Sequence, residues 1–374
     1  MSNIDNPFII YGYVSPEYFC DRKEETKEVI SALTNGCNMT IMSPRRYGKT
    51  GLIKNVFFNI KHEIEDVECF YIDIYATNSL SDFVQALGKT VIGKLDTPIQ
   101  KAEGYISRII KSAQITMSPD LATGLPQFSL NFQPQFATNT LEEIFNYIRQ
   151  SDRKCYIAID EFQQVLEYPE KNIEALLRTQ IQQTTNARFI FCGSKLHMMT
   201  EMFNSPKHPF YRSTEKLHLD VLDKDTYYNF IIEKLKEKNI SLPRSVFDKL
   251  YNRMDGVTWY IQTIMNRLYR LGECTIDEET VNKAIYRIIK SEEDDYKRLY
   301  HILTANQSSL LKAIAKEGIV KEPLAGLFIR THNLKSTSSV QRALAFLLQE
   351  EYIYKAETGY IIYDRLFGLW LKYQ

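Results

Sequence analysis

One stretch of the chain has the residue types and spacing of a phosphate-binding loop. Backbone N–H groups at the start of a helix bind phosphate, the Lys49 ammonium can reach β/γ oxygens, and the Thr50 hydroxyl can ligate Mg²⁺. A chance G-K-T in a turn is the alternative, but an apolar strand precedes the loop and an amphipathic helix follows it. The loop consists of Ser43, Pro44, Arg45, Arg46, Tyr47, Gly48, Lys49 and Thr50, with Gly51 next.

A second stretch ends in two carboxylates. Residues 154–159 are nearly all apolar, and the chain then reads Asp160 and Glu161. This is a Walker B signature: a strand buried on both faces places Asp160 beside the loop to hold Mg²⁺ through water, while Glu161 polarises the attacking water. A buried strand with a solvated acidic end is the alternative, and the upstream loop disfavours it. The two stretches together predict a site for ATP with Mg²⁺.

Two further polar residues follow later in the chain. Ser194 ends another apolar strand, where its hydroxyl could contact the γ-phosphate or the attacking water, or could instead cap the helix 195–203. Arg212 closes the run Pro-Phe-Tyr-Arg before a fifth strand. Its guanidinium could neutralise charge on a transferred phosphoryl group as an arginine finger, or it could be a surface arginine. Both alternatives stay open for each residue.

An aromatic arm precedes these motifs. Residues 6–25 are rich in aromatic side chains, and Asp21 is predicted to cap a helix that ends at Leu33. The arm either cradles an adenine ring or covers the edge of the sheet.

The remaining elements of the N-terminal half alternate between strand and helix patterns. After the loop, apolar residues recur on one face of a helix. A strand at 68–74 brings Asp73 to its carboxyl end, where α/β sheets place ligand chemistry. The segment 128–133 alternates apolar and polar residues, which predicts an exposed edge strand or a hairpin between core elements. Further helices are predicted at 80–95 and at 140–150, the latter capped by Thr140.

The C-terminal part predicts two helical domains. Four helices between Asp223 and Ile289 form a lid-like bundle, with Pro243 in the first turn of the second and Asp277 opening the fourth. Beyond 299, three helices and a hairpin indicate a winged helix. Its recognition helix, 337–349, carries few cations, which favours protein contact over DNA binding.

Composition limits the possible functions. The chain has 374 residues, 46 basic and 46 acidic, so two or three domains are expected and no overall field attracts nucleic acid. The six cysteines are scattered without C-x-x-C spacing and are predicted to be reduced core residues. The histidines lack metal-ligand spacing, so no metal site beyond Mg²⁺ is expected. No apolar run is long enough to span a membrane, and a cytoplasmic protein is predicted.

These motifs resemble the archaeal-type ATPase family, a STAND/AAA-like division of P-loop NTPases that also occurs in bacteria. The family reads G-P-R-R-x-G-K-T, then D-E, G-S and P-L-Y-G-R, and the likeness covers nearly the whole chain. The chain departs from it at Ser43, at Tyr47 and in the missing glycine before Arg212. The resemblance implies an ASCE/AAA-like α/β fold with a parallel sheet of order 5-1-4-3-2, followed by a helical lid and a winged helix.

The resemblance also implies boundaries and roles. Phe19 and Arg22 join the loop residues in binding nucleotide. In relatives the segment matching Trp259 and Tyr260 lies near the nucleotide, but Thr258 replaces the usual proline here, so core packing is expected for both aromatic residues. The expected domains are an arm at 1–22, an ATPase core at 23–221 with an insertion near 96–139, a lid at 222–298 and a winged helix at 299–374.

The sequence therefore predicts slow ATP hydrolysis that drives a conformational switch between core and winged helix, with a protein partner or self-association. A nucleotide-held scaffold or switch with negligible turnover is the second hypothesis, which the substitutions at Ser43 and Tyr47 allow. A winged-helix DNA-binding regulator is the third, and the few cations disfavour it.

Lys49→Ala is expected to abolish ATP binding while the fold stays intact, because it removes the main side-chain charge on the phosphates. One charge-assisted contact contributes about 1.5–3 kcal/mol, so affinity measured by calorimetry should fall by at least about tenfold. Unchanged affinity with an unchanged circular dichroism spectrum would contradict the site assignment.

Overall fold

The computed structural model describes residues 5–96, 106, 110–119 and 126–373. These form two compact units. The first comprises Ile9–Tyr227 and Val257–Trp259, and the second comprises Met1–Phe8, Tyr228–Gly256 and Tyr260–Gln374, each within its described residues.

A five-stranded parallel sheet organises the first unit, and a two-stranded hairpin is inserted in the chain between its second and third strands. The strands in the part of the chain that the structure describes are β1 Met39–Met42, β2 Val67–Asp73, β3 Gln114–Pro119, β4 Pro126–Asn131, β5 Lys154–Asp160, β6 Ala187–Gly193, β7 Glu215–His218, β8 Ile353–Ala356 and β9 Gly359–Ile362.

The sheet order is β2-β5-β6-β1-β7. In whole-chain numbering this is 2-5-6-1-7 and not 5-1-4-3-2, because the hairpin β3–β4 takes two strand numbers. When the five sheet strands are numbered alone, the same arrangement reads 5-1-4-3-2 from the β7 edge. The α/β P-loop NTPase fold class is confirmed.

Helices cover both faces of this sheet. Within the described residues, the helices are α1 Lys23–Thr34, α2 Lys49–Glu63, α3 Leu80–Val91, α4 Ala137–Arg149, α5 Ile173–Gln183, α6 Leu196–Asn204, α7 Lys224–Lys236, α8 Arg244–Arg253, α9 Thr258–Leu271, α10 Glu278–Ser291, α11 Glu293–His301, α12 Ala305–Glu317, α13 Gly326–Thr331, α14 Thr337–Gln349 and α15 Arg365–Lys372.

The sheet is buried because its side chains alternate between two apolar clusters. Along β5, Ile157 and Ile159 pack with α3 to α6, while Tyr156 and Ala158 pack with α1 and α2. Strands that are covered on both faces need near-continuous apolar sequence, which is the pattern of β1, β5 and β6. The predicted apolar face of α2 is confirmed, since Leu52, Ile53, Val56, Phe57 and Ile60 are all buried.

Two predicted helix starts are wrong. The residue before α1 is Arg22, with φ 62°, and not Asp21. Helix α4 begins at Ala137, so Thr140 lies in its first turn and its hydroxyl donates to the Phe136 carbonyl oxygen at 2.9 Å. A 3₁₀ turn at Pro134–Phe136 leads directly into α4 and starts it early.

The predicted hairpin is confirmed as antiparallel β3–β4, although much of the predicted insertion near 96–139 lies outside the described residues. The prediction that all cysteines are core residues is wrong for Cys274, which is exposed. Within the described part of the chain, no helix combines the length and apolarity that a membrane crossing requires.

The second unit contains the winged helix. Helix α14 has the predicted bounds, and β8 pairs with β9 as the wing. The Asp364 side chain caps α15 by accepting from the N–H groups of Leu366 and Phe367. The buried Arg365 guanidinium contacts Asp255 Oδ2 at 2.6 Å and donates to the Tyr354 hydroxyl at 2.8 Å. The last helix is therefore tied to the wing.

Candidate nucleotide-binding site

The phosphate-binding loop connects an interior strand of the sheet to a long helix. Strand β1 is buried along its whole length between β6 and β7, and α2 begins directly after Gly48, which has φ 94°. That left-handed conformation favours glycine. Ser43 is buried and keeps a negative φ, so its replacement of the family's glycine introduces no strain of this kind.

Lys49 is folded back onto the loop. Its Nζ donates to the carbonyl oxygens of Ser43 and Pro44, both at 2.9 Å. Burial lowers the pKa of Lys49, and the nearby Asp160 carboxylate opposes that shift. A buried ammonium satisfied by two loop carbonyls is suited to an anion, because phosphate oxygens are stronger partners than neutral carbonyls.

The Asp160 carboxylate joins the loop to strands β2 and β6 and to the residue that follows it. Its Oδ2 accepts from the Thr50 hydroxyl at 3.1 Å and from the Tyr71 phenol. Its Oδ1 accepts from the Cys192 thiol at 3.1 Å and from the Glu161 N–H at 3.0 Å. The structure thus brings together the two predicted metal-binding residues. Oxygen ligands of this kind suit Mg²⁺.

Tyr71 and Cys192 are members of this cluster that the sequence did not indicate. The predicted Asp73 lies at the end of the same strand as Tyr71, but its Oδ1 accepts from the Tyr75 N–H and not from the cluster. Burial and Asp160 raise the pKa of Tyr71, and burial raises that of Cys192, so both groups stay protonated as donors at neutral pH. Only strand register places them beside Asp160.

Glu161 adopts a left-handed backbone conformation, with φ 58°, immediately after β5. Its Oε2 accepts from the Ser194 hydroxyl at 2.7 Å, from the Ser194 N–H at 3.3 Å and from Gln163 Nε2 at 2.6 Å. Arg45 Nε in turn donates to the Ser194 hydroxyl oxygen at 3.1 Å. The capping interpretation of Ser194 is wrong, because α6 begins at Leu196 without a side-chain cap.

The N-terminal entry also contacts the loop. The buried Arg22 guanidinium donates to Glu25 Oε1 at 2.7 Å, to the Tyr47 carbonyl at 3.5 Å and to the Asp220 carbonyl. Phe19 packs on the first turn of α2, where a Cβ added to Gly51 would lie 3.0 Å from its ring. Both predicted residues therefore lie at the loop, and their contact with nucleotide stays a prediction.

Trp259 reaches the same loop from a distant part of the sequence. The backbone N–H of Trp259 donates to the Arg46 carbonyl at 3.2 Å. The Arg46 guanidinium lies 4.3 Å from the centre of the Trp259 indole ring. The expectation of core packing is wrong for this residue. It holds for Tyr260, which is buried and accepts from the Arg365 N–H at 3.1 Å.

Arg212 lies away from the loop of its own chain. It precedes β7, whose first residue pairs with Met39 at the amino end of β1, whereas the loop follows the carboxyl end. The four residues of β1, at about 3.3 Å each, separate the amino-terminal end of the strands from the carboxyl-terminal end. The Arg212 side chain is exposed, and its guanidinium lies 5.1 Å from the centre of the Tyr211 ring.

A family model described as "ATPase domain predominantly from Archaea" matches residues 19–264. The chain belongs to this family. A model described as "Probable winged helix domain" matches residues 294–373 of this archaeal-type ATPase. An uncharacterized ATP-binding protein of Methanocaldococcus jannaschii is 24% identical over 269 residues, which cover 67% of this chain and 70% of the relative.

Solved structures share the fold of this archaeal-type ATPase. The Walker-type ATPase of Pyrococcus abyssi has a TM-score of 0.66 at 16% identity. The match covers 98% of this chain and 99% of that one. The Aeropyrum pernix ORC2 protein, in complexes with ADPNP and ADP, has a TM-score of 0.60 at 15% identity, with 98% of this chain and 95% of that chain covered. At 16% and 15% identity, these similarities show a shared fold and nothing more.

Tyr71→Phe is expected to destabilise the ATPase unit by about 1.5–3 kcal/mol, because it removes a hydrogen bond to a charged carboxylate. Denaturant unfolding followed by circular dichroism measures the loss. Tyr75→Phe is the matched control, since its side chain is exposed. Equal stability of the two variants would mean that the phenol does not support Asp160.

Proposed function

We propose that this archaeal-type ATPase binds Mg-ATP, hydrolyses it slowly and uses the nucleotide to switch the arrangement of its ATPase core and winged helix. The observation that carries the proposal is the direct hydrogen bond of Thr50 to Asp160, beside a buried Lys49 and next to Glu161. The name of the M. jannaschii relative describes that protein as ATP-binding, and the ORC2 complexes contain ADPNP and ADP, which supports the choice of ligand.

The residues of the loop would bind the phosphates. Lys49 would exchange its two loop carbonyl partners for phosphate oxygens, and the backbone N–H groups at the start of α2 would complete the anion site. Thr50 and Asp160 would hold Mg²⁺, which when bound neutralises phosphate charge. The stacking of Trp259 on Arg46 would connect the loop to helix α9.

Glu161 would act on water. Its Oε2 is already held by Ser194 and Gln163, so the carboxylate has a fixed position from which to accept a proton. The Ser194 hydroxyl would orient Glu161. This role would replace or accompany the contact with the γ-phosphate that the sequence predicts for it. Slow turnover is expected from one chain alone, because Arg212 lies at the opposite edge of the sheet.

A nucleotide-held scaffold with negligible turnover is the second candidate, and the position of Arg212 favours it for an isolated chain. A third is a DNA-binding regulator, since an A. pernix ORC1 protein of the same fold was solved in complex with DNA, at a TM-score of 0.52 and 12% identity. Its test is DNA affinity as a function of salt concentration.

We also propose a cytoplasmic location, which the free cysteines support.

Glu161→Gln is expected to keep ATP binding and to lower single-turnover hydrolysis by about 100-fold or more, since the amide keeps the shape but cannot accept the proton. Calorimetry measures binding and quenched-flow measures the chemical step. Glu167→Gln serves as the control, because Glu167 is exposed and pairs with Lys195. Equal single-turnover rates for Glu161→Gln and the unmodified protein would assign the base elsewhere.

Arg212→Ala is expected to lower turnover without weakening ATP binding, and specific activity should rise with protein concentration, because the arginine would act on the site of a neighbouring chain. Mixing Arg212→Ala with Lys49→Ala protein should then restore part of the activity. Lys207→Ala, an exposed cation of the same loop, is the control. A concentration-independent rate that Arg212→Ala leaves unchanged would favour the scaffold.

A further inference from the structure

Gln163 is a buried side chain in direct contact with the predicted catalytic carboxylate. It lies in the 3₁₀ turn Phe162–Glu167 and is 2% exposed. Its Nε2 donates to Glu161 Oε2 at 2.6 Å. This is short for an N–H···O hydrogen bond, as expected when the acceptor is charged.

Among the described residues, the hydrogen bonds of the Glu161 side chain are all on one oxygen. Two donors of Ser194 and one of Gln163 converge on Oε2, and among the described residues no donor contacts Oε1. Hydrogen bonds at Oε2 fix the plane of the carboxylate and occupy the lone pairs of that oxygen. Oε1 is consequently the oxygen that is available to a water molecule.

The orientation of the Gln163 amide is determined by this contact. Its Oε1 is buried and accepts no hydrogen bond within the described part of the chain. Rotating the amide by 180° would turn that oxygen toward the Glu161 carboxylate, which is repulsive. A buried polar atom left without a partner costs about 1–3 kcal/mol. The hydrogen bond to Glu161 therefore has to offset the cost of leaving Gln163 Oε1 without a partner.

Gly193 provides the space for Gln163. A Cβ at position 193 would lie 1.9 Å from Gln163 Oε1 and 2.8 Å from the Met199 sulfur. The glycine that ends β6 therefore lets the glutamine amide lie between the strand and α6. The side chain could not occupy this position if any other residue followed Cys192.

We propose that Gln163 is a positioning residue for ATP hydrolysis: together with Ser194 it fixes Oε2 of Glu161 so that Oε1 faces the attacking water. This inference rests on the proposed function. Arg45 extends the arrangement to the phosphate-binding loop, since its Nε donates to the Ser194 hydroxyl oxygen. A change in the loop would then alter the donors that hold Glu161.

The first test replaces Gln163 by methionine, which is similarly long and unbranched but has no N–H donor. We expect kcat to fall about 10- to 100-fold, because the carboxylate loses its fixed position, while ATP affinity stays unchanged. Gln164→Met is the matched control: the side-chain amide of this neighbouring glutamine donates to the Thr77 carbonyl at 3.2 Å, and its only hydrogen bond to Glu161 among the described residues is made by the backbone, which the substitution keeps. It should keep full activity.

A double-substitution cycle separates positioning from a general structural role. Gln163→Met should have no further effect on single-turnover rate in the Glu161→Gln background, because it acts through that carboxylate. An unchanged or raised kcat in Gln163→Met alone would overturn the proposal, and so would a full additive loss in the double variant.

A readout without turnover keeps this inference distinct from the proposed function. In nucleotide-free, glutamine-¹⁵N-labelled protein, the side-chain amide signal missing from Gln163→Met identifies Gln163. This signal should move when Glu161 is replaced by Ala, while that of Gln164 stays in place. An unmoved Gln163 signal would overturn the positioning role even if the protein hydrolyses ATP. Absence of hydrolysis with a moved signal would reject the proposed function and retain the contact.

Discussion

The carboxylate of Asp160 is the group on which the site depends. It is buried at the end of a strand that is covered on both faces, where an isolated charge is unfavourable unless it is hydrogen-bonded. Four donors satisfy it, and they come from α2, β2, β6 and the next residue of its own chain. Because each donor belongs to a different element, the position of Asp160 relative to the loop is fixed by the packing of the sheet itself.

The same arrangement explains the left-handed backbone at Glu161. The chain must turn sharply after β5 so that the Glu161 side chain reaches Ser194 at the end of the neighbouring β6. A non-glycine residue with positive φ costs free energy, and it persists where surrounding contacts compensate. Three hydrogen bonds to one carboxylate oxygen are such contacts. The backbone strain and the orientation of the carboxylate are therefore parts of one local structure.

The sequence predicted the elements with strong local signals. The loop, the apolar face of α2, strand β5 with its two carboxylates, and the bounds of α14 all follow from residue spacing within a single element. The sequence did not indicate Tyr71, Cys192 or Gln163, because their roles come from strand register and from a turn conformation that no periodicity encodes. The start of α1 was misplaced for a similar reason: Arg22 is held by carbonyls of Tyr47 and Asp220, which are distant in sequence.

The chain itself connects the loop to the winged helix through two adjacent residues. Trp259 belongs to the unit that contains the loop and stacks on Arg46, while Tyr260 belongs to the other unit and accepts from Arg365, which also contacts the wing at Tyr354. The preceding Asp255 and Gly256 both have positive φ, so the backbone bends just before this segment. A displacement of Arg46 by a phosphate would act on Trp259, and the peptide bond to Tyr260 would carry it into the second unit. The proposed switch between the units would therefore require no long pathway of side chains.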